Sequence, residues 1–264
     1  MNYDTIIVND QDRHVAITLN RTEALNSISP AMIDDLNTAL DGLEDRRQLC
    51  TLSITGHGRA FCAGADLKAA KARMDGADAG EVNSNFLDGL RRLLLRIEGF
   101  PVPVVAAVNG LALAGGLEMV MACDLVVAAA SAKLGDAHAN YGLVPGGGSS
   151  VRLPRKIGPT RAKQLIFSGD FLPAETLMQW GLVNKVVPDG GLGAAVDELV
   201  GTLAQRSPIG LRRMKRMIDD GLEQSLPAAL RYELSLNALH AASHDRMEGL
   251  AAFAEKRNPA FEGH

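Results

Sequence analysis

Apolar and polar positions fall into blocks along this chain, and the period of the blocks changes repeatedly. Residues 5–8 and 15–19 are short apolar runs on either side of an Asn-Asp-Gln-Asp segment, which predicts a β-hairpin. Ser29-Pro30 then supplies an N-cap followed by proline at the first helical position, and Met32, Leu36, Leu40 and Leu43 follow at helical spacing. Residues 50–55 read as a buried strand and 56–64 as a loop. A second helical stripe runs through Phe86, Leu90, Leu93, Leu94 and Ile97. Residues 104–108 and 125–127 read as strands. Between them lies a glycine-bearing loop, 109–116, that opens a helix over Leu-Glu-Met-Val-Met-Ala-Cys-Asp. Residues 68–83, rich in Ala, Gly and Asp, predict a mobile stretch suited to a lid.

Strand and helix thus alternate through the first two-thirds, which specifies an α/β fold. Beyond Gly158 the texture is helical, with stripes over 160–167, 173–180, 192–205, 208–219, 226–241 and 245–256 and one short strand at 185–187. We divide the chain into an α/β core, residues 1–195, and a C-terminal helical region, residues 196–264. The tail is long and aliphatic, so it must pack on the core or on another subunit.

Composition narrows the picture by exclusion. At 264 residues and 47% hydrophobic the chain can bury a substantial core, and with 4% aromatics that core must be aliphatic. A net charge of −4 argues against a nucleic-acid binder. The basic run Arg212, Arg213, Lys215, Arg216 reads as a solvated helix face that helps attract an anion. Three cysteines, Cys50, Cys62 and Cys123, with no C-x-x-C, argue against a disulfide framework or a zinc site; no metal is expected. The polar N-terminus has no apolar signal core, and Glu118 and Asp124 interrupt the longest apolar run, so a cytoplasmic protein with no membrane partner is expected.

Chemistry gathers where apolar strands run into small residues: Phe61-Cys62-Ala63-Gly64-Ala65-Asp66-Leu67 and Asn109-Gly110-Leu111-Ala112-Leu113-Ala114-Gly115-Gly116-Leu117-Glu118. Small residues let a ligand approach the backbone, and a helix N-terminus presents free N–H groups. Two such donors on one oxygen make an oxyanion hole. A plain turn is the blander reading of either loop. Nucleotide readings fail: no P-loop occurs, Pro145 to Ser150 lacks a phosphate-gripping lysine, and the dinucleotide glycine spacing is missing.

Phe-Cys-Ala-Gly-Ala-Asp-Leu-Lys at 61–68, Asn109 onward through the second loop, Leu143-Val144-Pro145-Gly146-Gly147-Gly148, the 167–188 segment and the closing Phe253 to Phe261 resemble, in order and spacing, the enoyl-CoA hydratase/isomerase (crotonase) superfamily. The resemblance covers about Ile17 to Phe261. It implies repeated ββα units with a C-terminal helical region used for trimerisation, as a homotrimer or dimer of trimers. It implies an acyl-CoA substrate, with coenzyme A part of that substrate and no separate cofactor. The family's oxyanion donors fall on Ala65 and Gly115. Ala63, Ala65, Asp66, Leu67 and Lys68 would line the CoA site, and Phe253 and Lys256 would reach CoA, often from a neighbouring subunit.

Hydratases of this family carry two glutamates. Glu118 matches the first, but the second position, twenty residues on, holds His138. Neutral histidine is a competent base near neutral pH, so a Glu118/His138 pair can serve a hydratase. The blander readings are a helix-start carboxylate and a packed histidine, and a turn aspartate and a core tyrosine for the outside candidates Asp136 and Tyr141. The departure leaves open another enolate reaction (isomerisation, decarboxylation or hydrolysis) and a non-catalytic acyl-CoA-binding or RNA-associated relative.

Overall fold

The computed structural model describes residues 3–66 and 79–264. Of the stretch expected to be mobile, residues 68–78 lie outside this description, and from Ala79 the chain is helical.

Beyond an opening hairpin, successive strands alternate between two sheets as far as Gly135. The larger sheet contains β1 (Ile6–Gln11), β2 (His14–Leu19), β3 (Thr51–Gly56), β5 (Val104–Val108), β7 (Leu125–Ala129) and β10 (Lys185–Val187), in that order. The smaller contains β4 (Ala60–Cys62), β6 (Leu111–Leu113), β8 (Lys133–Gly135) and β9 (Leu172–Pro173). Among the described strands only the β1–β2 and β8–β9 pairs are antiparallel. Parallel strands buried on both faces should read as unbroken apolar runs, and β5, Val-Val-Ala-Ala-Val, is buried at every position.

The helices cover these sheets. In α1 (Pro30–Asp41) the Ser29 hydroxyl accepts the Met32 N–H at 3.2 Å, and Met32, Leu36 and Leu40 face the core. In α2 (Ala79–Glu98), Leu90, Leu93, Leu94 and Ile97 are buried. Helix α3 (Gly115–Ala122) is buried at all eight positions. Such a helix must be apolar on every side, and its single ionisable residue, Glu118, is therefore conspicuous. Then follow α4 (Ser149–Ile157), α5 (Pro159–Ser168), α6 (Ala174–Trp180), α7 (Leu192–Ala204), α8 (Pro208–Leu222), α9 (Leu226–Ala241) and α10 (His244–Glu255). Helix α7 spans the division drawn at residue 195 and buries Val196 and Val200 in the same core as Leu192.

Several expectations change. Strand β1 runs to Gln11, so the hairpin turn is Asp12-Arg13, because an edge strand can carry polar residues on its exposed side. The basic run is only in part a solvated face: Arg216 is exposed, but Lys215 is buried and its Nζ lies 2.7 Å from Asp124 Oδ2, while the Arg212 guanidinium caps the carbonyls of Glu44 and Arg46. Lys215 and Arg212 fasten α8 to the core. No helix among the described residues is long and apolar enough to cross a membrane.

Candidate active site

Strands β4, β6 and β8 are parallel neighbours, so their C-terminal ends open along one edge of the smaller sheet. Each end carries one part of the candidate site, as expected of parallel sheets.

After β4 comes Ala63-Gly64-Ala65-Asp66. The Ile28 N–H donates to the Gly64 carbonyl at 2.8 Å, and the Asp66 N–H donates to the Ile28 carbonyl at 3.0 Å. In a parallel bridge of this kind the residue between, Ala65, points its own N–H to the opposite side. The loop is held from behind. The Asn26 amide donates to the Ala60 and His57 carbonyls, the Ala63 N–H to Leu25, and Arg21 pairs with Asp66 at 3.0 Å.

After β6 comes Ala114, whose N–H donates to the Gly135 carbonyl at 2.9 Å. Its backbone, φ 47° and ψ −117°, is a conformation that costs an L-residue on the order of 1–3 kcal/mol and clusters at functional sites. The sharp turn starts α3 at Gly115, whose N–H belongs to the first turn and has no acceptor within the helix. A β-carbon on Gly115 would sit 3.5 Å from the Ala65 nitrogen, so the two amides lie side by side. Neither N–H is hydrogen-bonded to another described residue. The helix end comes this close because Gly116 rests on the end of β4; a β-carbon there would lie 2.0 Å from the Cys62 carbonyl oxygen.

Glu118 follows one turn into α3 and is 1% exposed. Its Oε1 accepts the Gly147 N–H at 2.9 Å and the Ser149 N–H at 3.0 Å. Ser149 begins α4, so the carboxylate sits at a helix N-terminus. The glycine run 146–148, read from sequence as a family motif and a loop without a phosphate-gripping lysine but given no part in the site, is what presents these amides. Gly-Gly-Gly-Ser-Ser ahead of a helical stretch was the available signal for a helix N-terminus.

After β8 comes Gly135-Asp136-Ala137-His138. Asp136 is fully buried, and its Oδ1 lies 2.9 Å from His138 Nδ1. The His138 side chain is 14% exposed. Burial alone would lower the imidazole pKa. The Asp136 hydrogen bond and the charges of Asp136 and Glu118 outweigh it and raise the group above its ordinary value. Asp136 is therefore no mere turn residue. Tyr141, expected in the core, is 70% exposed.

The strand ends thus bring together Ala65, Gly115, Glu118 and His138. Of the CoA-lining candidates, Ala63 and Asp66 lie on the first loop, while Leu67 and Lys68 fall outside the described residues. Phe253 is 86% exposed on α10 and Lys256 follows the same helix in a left-handed conformation; among the described residues no hydrogen bond ties either to these loops.

A family model described as enoyl-CoA hydratase/isomerase matches residues 11–264. The chain belongs to this family. Relatives include the mitochondrial methylglutaconyl-CoA hydratase of Rattus norvegicus, 37% identical over 94% of this chain and 79% of that protein. The mitochondrial enoyl-CoA hydratase domain-containing protein 2 of Bos taurus is 40% identical over 94% of this chain and 83% of that protein. Among solved structures, an enoyl-CoA hydratase from Bacillus anthracis superposes with a TM-score of 0.93 at 36% identity, covering 99% of this chain and 100% of that one.

Proposed function

We propose that this chain is an enoyl-CoA hydratase-like lyase whose Ala65 and Gly115 N–H groups hold the thioester oxygen of the substrate. The observation that carries this is the adjacency of those two amides, with no other described acceptor, in a chain whose relatives are named as hydratases of enoyl-CoA thioesters. Adding water to the β-carbon of an enoyl thioester moves an electron pair through the α-carbon onto the thioester oxygen. Two preorganised donors stabilise that enolate by on the order of 3 kcal/mol each.

Glu118 is the main acid/base residue in this reading. Two backbone amides fix its Oε1, which leaves the carboxyl oriented one helical turn beyond the Gly115 donor. His138 is the auxiliary group. The CoA portion extends over Ala63 to Lys68, with Phe253 and Lys256 contributed by an adjoining subunit of a trimer or dimer of trimers. The protein works in the cytoplasm and needs no separate cofactor.

Hydration of crotonyl-CoA, followed by loss of the conjugated thioester absorbance, tests the reading. Wild type should turn over, and Glu118→Gln should lower kcat/KM by on the order of 10²–10⁴-fold, as for removal of a general acid/base group. Wild type that leaves crotonyl-CoA unchanged while consuming an isomerisation, decarboxylation or hydrolysis substrate would overturn it.

A further inference from the structure

We infer that Asp136 is a positioning residue that holds His138 as an imidazolium, so that His138 Nε2–H is the proton donor to the α-carbon and Glu118 the base that activates water. This rests on the hydratase reading above, and it reverses the role that a neutral histidine base would have.

The argument starts from Asp136. It is 0% exposed, and its only described side-chain partner is His138 Nδ1, at 2.9 Å; Oδ2 has no hydrogen-bond partner among the described residues. Burying a carboxylate without a counter-charge costs several kcal/mol. No described lysine or arginine forms an ion pair with it, so the one cation available is a protonated His138. The local backbone is bent to make this pair. Ala137 between them has φ 62°, and the His138 N–H donates back to the Asp136 carbonyl at 2.8 Å. A residue without glycine's freedom in that conformation is strained, and the strain brings the two side chains round onto the same side.

The surroundings agree. Glu118 and Asp136 are the charges acting on the imidazole, and both favour its cationic form. On its own turn Tyr141 is exposed, and Lys133 on β8 and Asp170 are exposed as well. From α5, packed against the turn, Lys163 is exposed and Arg161 lies over the Trp180 ring. Nδ1 is taken by Asp136, and Nε2 carries no hydrogen bond to a described residue.

The step then balances. Glu118 takes a proton from water as its oxygen bonds to the β-carbon; the π pair moves to the thioester oxygen. The enolate collapses and the α-carbon takes the proton from His138 Nε2. Glu118 has gained one proton and His138 has lost one, and exchange with solvent resets both.

Two measurements test this. In the free enzyme, NMR titration of the His138 ring should show a pKa above the ordinary histidine value and a proton on Nδ1 throughout. Asp136→Asn, which keeps the shape and removes the charge, should lower that pKa. It should also move the alkaline limb of kcat/KM to lower pH, since activity that needs a protonated group is lost as pH rises through its pKa. Each unit lowered means about tenfold less active enzyme above the limb. His138→Gln should abolish the limb. A wild-type His138 that titrates at or below the ordinary value, or an Asp136→Asn profile that coincides with wild type, would overturn the inference. Because the titration needs no substrate, it stands even if Asp136→Asn does not fold. Failure of the hydratase reading would appear separately, as no turnover of crotonyl-CoA.

Discussion

Two glycines beside the site show how differently one methyl group can act. A β-carbon on Gly116 would meet the Cys62 carbonyl at 2.0 Å, so the contact is with backbone, and relief requires the start of α3 to move off the end of β4. A β-carbon on Gly147 would meet Glu118 Oε2 at 2.3 Å and Leu94 Cδ1 at 3.0 Å, both ends of flexible side chains. We expect Gly116→Ala to lower stability by more than 3 kcal/mol, roughly the scale of severe overpacking, seen as a large fall in Tm or loss of soluble protein. Gly147→Ala should leave Tm within a few degrees of wild type and cost at least tenfold in turnover, because the carboxylate is what moves. A Gly147→Ala enzyme with wild-type kcat would show that the observed Glu118 position is not required. The sequence made Ala65, Gly115 and Glu118 legible as candidates, since small residues after apolar runs and a carboxylate on a helix start are local patterns. It did not make Asp136 legible as a partner of His138, because a single buried carboxylate between Gly135 and Ala137 leaves no periodic trace.

At the scale of elements, most helices and the larger sheet could be read, the helices from their period and β1 to β3, β5 and β7 from apolar runs within strands of five or six residues. In that sheet only β10, with three residues, is as short as the strands of the other sheet. The smaller sheet could not. Strands β4, β6 and β8 have three residues each, too few to show alternation, and their pairing is non-local. Helix α4 was hidden by the glycines ahead of it and by Pro154 within it. The attachment of α8 was hidden too, since Lys215 lies in a basic run that resembles a surface. Its pairing with Asp124 is largely buried, and burial pushes the Asp124 carboxyl above its usual range despite the ammonium beside it. Lys215→Met should cost about 3–5 kcal/mol in urea unfolding at pH 7, the range for breaking a buried pair and leaving one charge behind. Protonating Asp124 removes that stranded charge, so the deficit should shrink as pH falls. Changing Asp124 to Asn in the same protein should restore part of the loss. Equal deficits at pH 5 and pH 8 would contradict this account.

For the whole molecule, the α9 face is the outstanding feature of the surface. Leu226, Leu230 and Leu234, four residues apart, are 72%, 52% and 69% exposed, with Phe253 and Leu250 exposed on the adjoining helix. Exposed apolar area in such a row marks an interface. Light scattering at micromolar concentration should report a trimer or hexamer rather than a 28.0 kDa monomer. Leu230→Glu with Leu234→Glu should dissociate it, since charges placed opposite apolar surfaces are not accommodated; an unchanged mass would locate the interface elsewhere.

The three strand ends differ in how freely evolution can rewrite them. The amides of Ala65 and Gly115 depend on backbone shape and tolerate many neighbouring side chains, whereas the third end carries two residues that presuppose each other. A glutamate at 138 set beside an unaltered Asp136 would crowd carboxylates where no lysine or arginine among the described residues pairs with Asp136, and an apolar residue at 136 would leave the histidine without its orienting partner. A lineage moving between a two-carboxylate site and this one must therefore change both positions together or pass through a poor intermediate. The pair should be inherited as a unit, while the two loops that carry Ala65 and Gly115 can remain common ground for either arrangement.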